Sequence, residues 1–197
     1  RGKRVTDTLT PTTTPGDAGI GGLFGSGEAT VSTLNEKFDA DGVLLSREVN
    51  TFTFRMPDKI LLKHIKSTYT VDESGVLSLS SRETIINKWE PTIYDESGPK
   101  NAPKQETQIV KRERVDPSDD AGIFRVWETE HKGFSYDAEN FETGETTLTK
   151  KLDLDLDALR RHQLVVKTTK DIGPLLAEQI TEQYDFNTDL GRWAIRS

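Results

Sequence analysis

Three histidines, His64, His131 and His162, are the first candidates for metal or acid-base chemistry in this chain. None has a second His or a carboxylate four residues on along a helical segment, so the zinc-protease spacing is absent. Lys63 and Lys66 flank His64 and would repel a cation. All three histidines are expected to be surface residues. Carboxylates are plentiful, but none is marked as a pair for glycoside hydrolysis. Asp39 and Asp41 resemble the start of a calcium loop, yet Lys37 stands where the first ligand belongs. Asp153, Asp155 and Asp157 would line one strand face roughly 7 Å apart, too far to share one ion without a neighbouring strand.

Nucleophilic chemistry has no foothold either. There are no cysteines, which removes disulfides, thiolate zinc sites and Cys nucleophiles together. No Gly-x-Ser-x-Gly elbow and no Ser-His-Asp order stands out. The glycine-rich segment 19–27 lacks a Lys-Ser/Thr ending and follows a Thr/Pro tract, so it fails the context of a phosphate loop. The expectation is a protein that is not an enzyme and has no metal or cofactor. A hydrolase built from dispersed Asp and Glu is the reading this leaves least room for.

The elements that would carry these residues are set by a recurring turn. A β-former is followed by Asp and then by Gly in Phe38-Asp39-Ala40-Asp41-Gly42, Val71-Asp72-Glu73-Ser74-Gly75 and Tyr94-Asp95-Glu96-Ser97-Gly98. Val115-Asp116 with Gly122, Tyr136-Asp137 with Gly144, and Tyr184-Asp185 with Gly191 repeat it more loosely. Asp bonds back onto its own backbone and Gly supplies positive φ, so each predicts a tight turn. The Asp positions are 33, 23, 21, 21 and 48 residues apart. A gap of 21 to 23 residues fits two strands and one opposite turn. The Tyr-Asp dipeptides resemble those of the repeats in large bacterial surface proteins. The residues between them do not follow that pattern, and no family is assigned.

Strands are expected over residues 28–38, 43–56, 59–71, 76–87, 88–94, 104–115, 123–131, 145–156, 160–170 and 191–196. Phe52, Phe54 and Met56 alternate with Thr51, Thr53 and Arg55, giving one buried and one wet face. Thr is abundant, at 24 residues, and favours strands. One short helix is expected over about 173–183, because Asp171 can cap it, Pro174 suits its first turn, and Leu176, Ile180 and Tyr184 recur every four residues. The fold class is therefore an all-β antiparallel up-and-down meander, a barrel or strongly curved sheet, with one short helix near the C-terminus. Residues 1–27, rich in Thr, Pro and Gly, read as an extended N-terminal arm. Residues 28–197 read as the β domain.

Composition bounds the partners. With 33% hydrophobic and 30% charged residues, a thin structure with much exposed sheet is expected. Net charge is −7, which disfavours nucleic acid. Basic residues cluster locally, as in Lys111, Arg112 and Arg114, but alternate with Glu113 and Asp116, as cross-strand ion pairs would. No apolar run approaches the 18 or so residues of a transmembrane segment. The chain begins with Arg1 in a basic Arg-Gly-Lys-Arg tract. That reads as processing, and suggests a virion, cell-surface or organelle assembly.

Two functions follow. The first is a non-enzymatic structural or scaffolding subunit of a larger protein assembly, whose partners are other protein subunits. Ile20, Leu23 and Phe24 would anchor its arm. Trp193, in a terminal strand with an available edge, would be a partner contact, and Trp89 a second buried one. The alternative is a lipocalin-like β-barrel binding an apolar small molecule, a lipid or pigment, with Trp89, Trp127, Tyr69 and Phe124 lining the cavity. That alternative is an analogy of shape, since no lipocalin motif is present.

Overall fold

The computed structural model of the chain describes residues 3–10, 27–56, 58–72, 74–115, 124–153, 158–173 and 176–196. All of its regular structure there is strand. In chain order the strands are β1 (Lys3–Thr10), β2 (Gly27–Phe38), β3 (Leu44–Met56), β4 (Ile60–Val71), β5 (Leu77–Trp89), β6 (Tyr94–Asp95) and β7 (Gly98–Pro99). There follow β8 (Gln105–Val115), β9 (Phe124–Tyr136), β10 (Glu142–Asp153), β11 (Ala158–Gly173), β12 (Leu176–Asn187) and β13 (Arg192–Ile195).

Eleven of these strands form one antiparallel sheet in the order β1-β2-β3-β4-β5-β8-β9-β10-β11-β12-β13. The order is the chain order, as an up-and-down meander requires. Only β6 and β7 stand aside, as a small two-stranded sheet between β5 and β8. Two expectations are corrected. The sheet has two ends, β1 and β13, and does not close into a barrel. The short helix near the C-terminus is absent: β12 pairs antiparallel with β11, Ile180 opposite Thr168 and Tyr184 opposite Leu164. A spacing of four is also a multiple of two, so Leu176, Ile180 and Tyr184 share one face of a strand as readily as one stripe of a helix. Among the described residues no helix is long and apolar enough to cross a membrane.

Within the segment read as an arm, Lys3–Thr10 is a strand in register with β2, Val5 opposite Asn35. Ile20, Leu23 and Phe24 lie outside the described residues. β5 continues without a break to Trp89, so no separate strand begins at residue 88.

The repeated turns explain the meander. Asp39 Oδ1 accepts from the Asp41 and Val43 amides at 2.9 and 2.8 Å. Asp72 Oδ1 does the same with Ser74 and Val76, at 2.9 Å each, and Asp95 Oδ1 accepts from the Ser97 amide at 2.8 Å. Gly75 then takes φ 82°, where a side chain would be strained. Two of the looser turns fall elsewhere than the spacing implied. The turn after β9 closes at Phe141, whose amide meets Asp137 Oδ1 at 2.8 Å. Asn140 supplies the positive φ there, 73°, and Gly144 sits inside β10 at a register shift. The last turn starts at Asn187, leaving Asp185 within β12. The turn expected at Val115-Asp116 lies outside the described residues.

The chain divides into two compact units, Arg1–Ile86 with Arg112–Val115, and Asn87–Lys111 with Asp116–Ser197. In the first, Val31, Phe52, His64 and Ile85 form one row across β2, β3, β4 and β5. Phe52 stacks on His64 and lies 6.4 Å from Phe54. The next row on that face, Thr33, Asn50, Lys66 and Glu83, is polar. Asn50 there is 9% exposed, and donates from Nδ2 to Glu48 Oε1 at 2.9 Å. Lys66 reaches Glu48 at 2.8 Å and Arg112 reaches Glu83 at 2.7 Å. In the second unit, Asn87 Oδ1 accepts from Gln105 and Gln108 at 3.0 and 2.9 Å.

Polar side chains are thus buried beside the apolar rows. Among the described residues Val110 is the one fully buried hydrophobic side chain, and Asn50, Ser67, Asn87 and Gln163 are the buried polar ones. No buried side-chain N or O atom among them lacks a hydrogen-bond partner, as burial without water demands.

Candidate functional site at the open sheet edge

Residues opposite one another in an antiparallel ladder share a face. In the second unit this rule sorts β10 to β13 cleanly. Leu148, Leu164, Tyr184 and Ile195 form one row. Beside it, on the same face, Lys150 lies opposite His162, and Phe186 lies opposite Trp193. The opposite face carries Gln163 against Asp185, and Asp185 against Ala194.

Three rings meet on the first face. His162 lies 4.8 Å from both Phe186 and Trp193, centroid to centroid, and Phe186 lies 5.2 Å from Trp193 in an edge-to-face arrangement at 69°. These separations fall within the range where aromatic pairs attract. The cluster is only partly covered: the Trp193 residue is 36% exposed, and Ile195 on the same face is 72% exposed. Burial first, and then the charge of Lys150, lowers the His162 pKa below 6.5. The ring is therefore neutral near pH 7 and packs as a flat apolar surface. Burial, reinforced by Glu182, raises the Tyr184 pKa, so its phenol keeps its proton.

The edge itself is polar. The Arg196 amide donates to the Gln183 carbonyl at 2.9 Å, so residues 183 and 196 are a hydrogen-bonded pair. Such pairs alternate with non-bonded ones along an antiparallel ladder. Ala194 and Arg192 therefore face β12 with their main-chain groups, while Trp193 and Ile195 turn their N–H and C=O outward. β13 ends the strand order, and an exposed row of such groups is a template for another strand. The other face of β13 carries Arg192 and Arg196, both exposed. Arg196 reaches Asp185 at 3.8 Å. Arg192 pairs with no carboxylate among the described residues.

The remaining sequence candidates fall elsewhere. Tyr69 is in β4 and belongs to the first unit; Trp89, Phe124 and Trp127 belong to the second. Lys151 Nζ sits 4.9 Å from the Trp127 ring centroid, a cation–π contact. Among the residues expected at an interface, Trp193 has His162 and Phe186 as ring neighbours. Phe186 and His162 were not singled out with it. The alternation of Tyr184 with Phe186, and of Trp193 with Ile195, was the available signal. The turn aspartates spend their oxygens on backbone amides, and no group of three His, Cys, Asp or Glu is placed to hold a metal ion among the described residues.

No family model matches the chain, and no curated protein matches it. Among solved structures it is similar to a protein of unknown function from Bacteroides fragilis, at 12% identity over 88% of this chain and 91% of that one, with a TM-score of 0.37. It is also similar to a DUF3836 family protein from Parabacteroides distasonis, at 13% identity over 68% of this chain and 89% of that one, with a TM-score of 0.24. Neither likeness carries an argument about function.

Proposed function

We propose that the chain is a non-enzymatic structural subunit that acts by forming an interface with other protein chains through β13. One observation supports this reading above the others: the strand that ends the sheet points main-chain groups outward, unpaired among the described residues, and sets Trp193, Phe186 and Ile195 beside them. Strand addition draws its affinity from such main-chain groups and its specificity from the alternate side chains. Tryptophan is also the residue type most enriched at energetic centres of interfaces. Ile195→Pro removes an outward N–H while sparing the ladder with β12. In an extract of its own cells the chain is expected to migrate well above its 22.1 kDa, and the Ile195→Pro variant to fall back toward that mass. Migration of both proteins at the mass of a single chain would overturn the proposal.

A further inference from the structure

The two faces of β13 differ in chemistry, and the difference selects a partner. Trp193 and Ile195 lie on the aromatic face with Phe186. Arg192, Ala194 and Arg196 lie on the other. A strand laid along the open edge places one residue opposite each of these five positions. Those opposite Trp193 and Ile195 meet an apolar surface. Those opposite Arg192 and Arg196 meet a cation each, and directly opposed charges of unlike sign stabilise a sheet while like charges destabilise it.

We infer that β13 receives an extended segment of another protein with the pattern acidic, apolar, any residue, apolar, acidic. The inference rests on the interface reading given above and names the chemistry of its partner. A second copy of β13 centred on Ala194 is a poor occupant, because it sets Arg192 against a second Arg196. Arg192 has no carboxylate partner among the described residues, so an incoming acid does not compete with an internal one there. At Arg196 the competitor is Asp185, at 3.8 Å and half exposed. Gln163 Nε2 also donates to Asp185, at 3.3 Å. Asp185 thus keeps a donor when Arg196 turns to a second carboxylate.

The test uses the full chain and three labelled nonapeptides read by fluorescence polarisation. Their central five residues are Asp-Val-Thr-Val-Asp, Asn-Val-Thr-Val-Asn and Lys-Val-Thr-Val-Lys. The Asp peptide is expected to bind on the order of three- to tenfold more tightly than the Asn peptide, the range two exposed ion pairs give. The Lys peptide is expected to be weakest. The Asp advantage should vanish in about 1 M salt, where the screening length falls to roughly 3 Å. It should vanish equally in the double variant Arg192→Gln, Arg196→Gln. Ile195→Pro should weaken all three peptides together, with circular dichroism confirming that the sheet is intact. Equal binding of the Asp and Asn peptides, lost in Ile195→Pro, overturns the acidic partner and leaves the interface reading standing. Binding that ignores Ile195→Pro, or no binding by any peptide, overturns both.

Discussion

Phe52 and His64 lie face to face, their ring centroids 4.3 Å apart and their planes only 8° from parallel. The contact is directional because His64 Nε2 also lies 3.0 Å from Asn50 Oδ1. Asn50 gives its amide hydrogens to Glu48, so its oxygen accepts and His64 Nε2 carries the proton. Partial burial, more than any neighbouring charge, lowers the His64 pKa below 6.5. The unfolded chain therefore takes up this proton first as pH falls. The stability that neutral His64 contributes is complete above about pH 6.5 and is lost as pH drops toward its folded value. Denaturant midpoints of the wild type should fall between pH 7.5 and pH 5. The fall should be smaller in His64→Phe. Identical slopes would dismiss the histidine as a source of acid sensitivity.

Gly75 has φ 82° with open space where a Cβ would go. The penalty for Gly75→Ala is then backbone strain alone, about 1–2 kcal/mol. Gly27, with ordinary φ and equal room, should tolerate alanine. Thermal melts of the two variants make the comparison, and an equal loss would contradict the turn geometry.

Glu145 bridges β9, β10 and β11. Burial pushes its pKa up, but the Thr147 hydroxyl, Lys132 and Lys167 together outweigh burial and hold it below 4.5. The Thr147 hydrogen bond is 2.8 Å long and the two lysines lie at 3.6 and 3.5 Å. Its contribution is present above about pH 4.5 and lost as pH falls through the folded value. Glu145→Gln should cost about 1 kcal/mol at pH 7, and the difference from wild type should shrink on acidification. A gap that stays constant to pH 3 would refute the clamp.

The main-chain alternation in β13 has its own readout. Amide hydrogens of Ala194 and Arg196 should exchange slowly, and those of Trp193 and Ile195 should exchange faster than either. Residue-resolved exchange by NMR measures this directly. Uniform protection across the four amides would mean that the edge is already covered.

The meander was legible because its signals are local. Asp39, Asp72 and Asp95 each cap the turn their sequence announces, and the Phe52 and Phe54 alternation marks a face correctly. Two signals failed for physical reasons. Ile180 and Tyr184 satisfy the helical and the strand period alike, and the pairing of β12 with β11 decides between them. Closure depends on whether the first and last strands meet, which no local pattern records. The aromatic cluster was half visible. Trp193 announces itself, but His162 joins it from β11, some thirty positions earlier in the chain, through register alone.

A sheet whose described residues include a single fully buried hydrophobic side chain, Val110, holds together chiefly by ladder hydrogen bonds and half-covered side chains. Apolar surface newly wetted on melting dominates the heat capacity of unfolding, while polar surface subtracts from it. For this chain the increment per residue should lie below the usual 12–15 cal/mol/K, roughly speaking, of globular domains. Its stability curve is then a broad, shallow dome, so its resistance to unfolding changes little between a cold environment and a warm one.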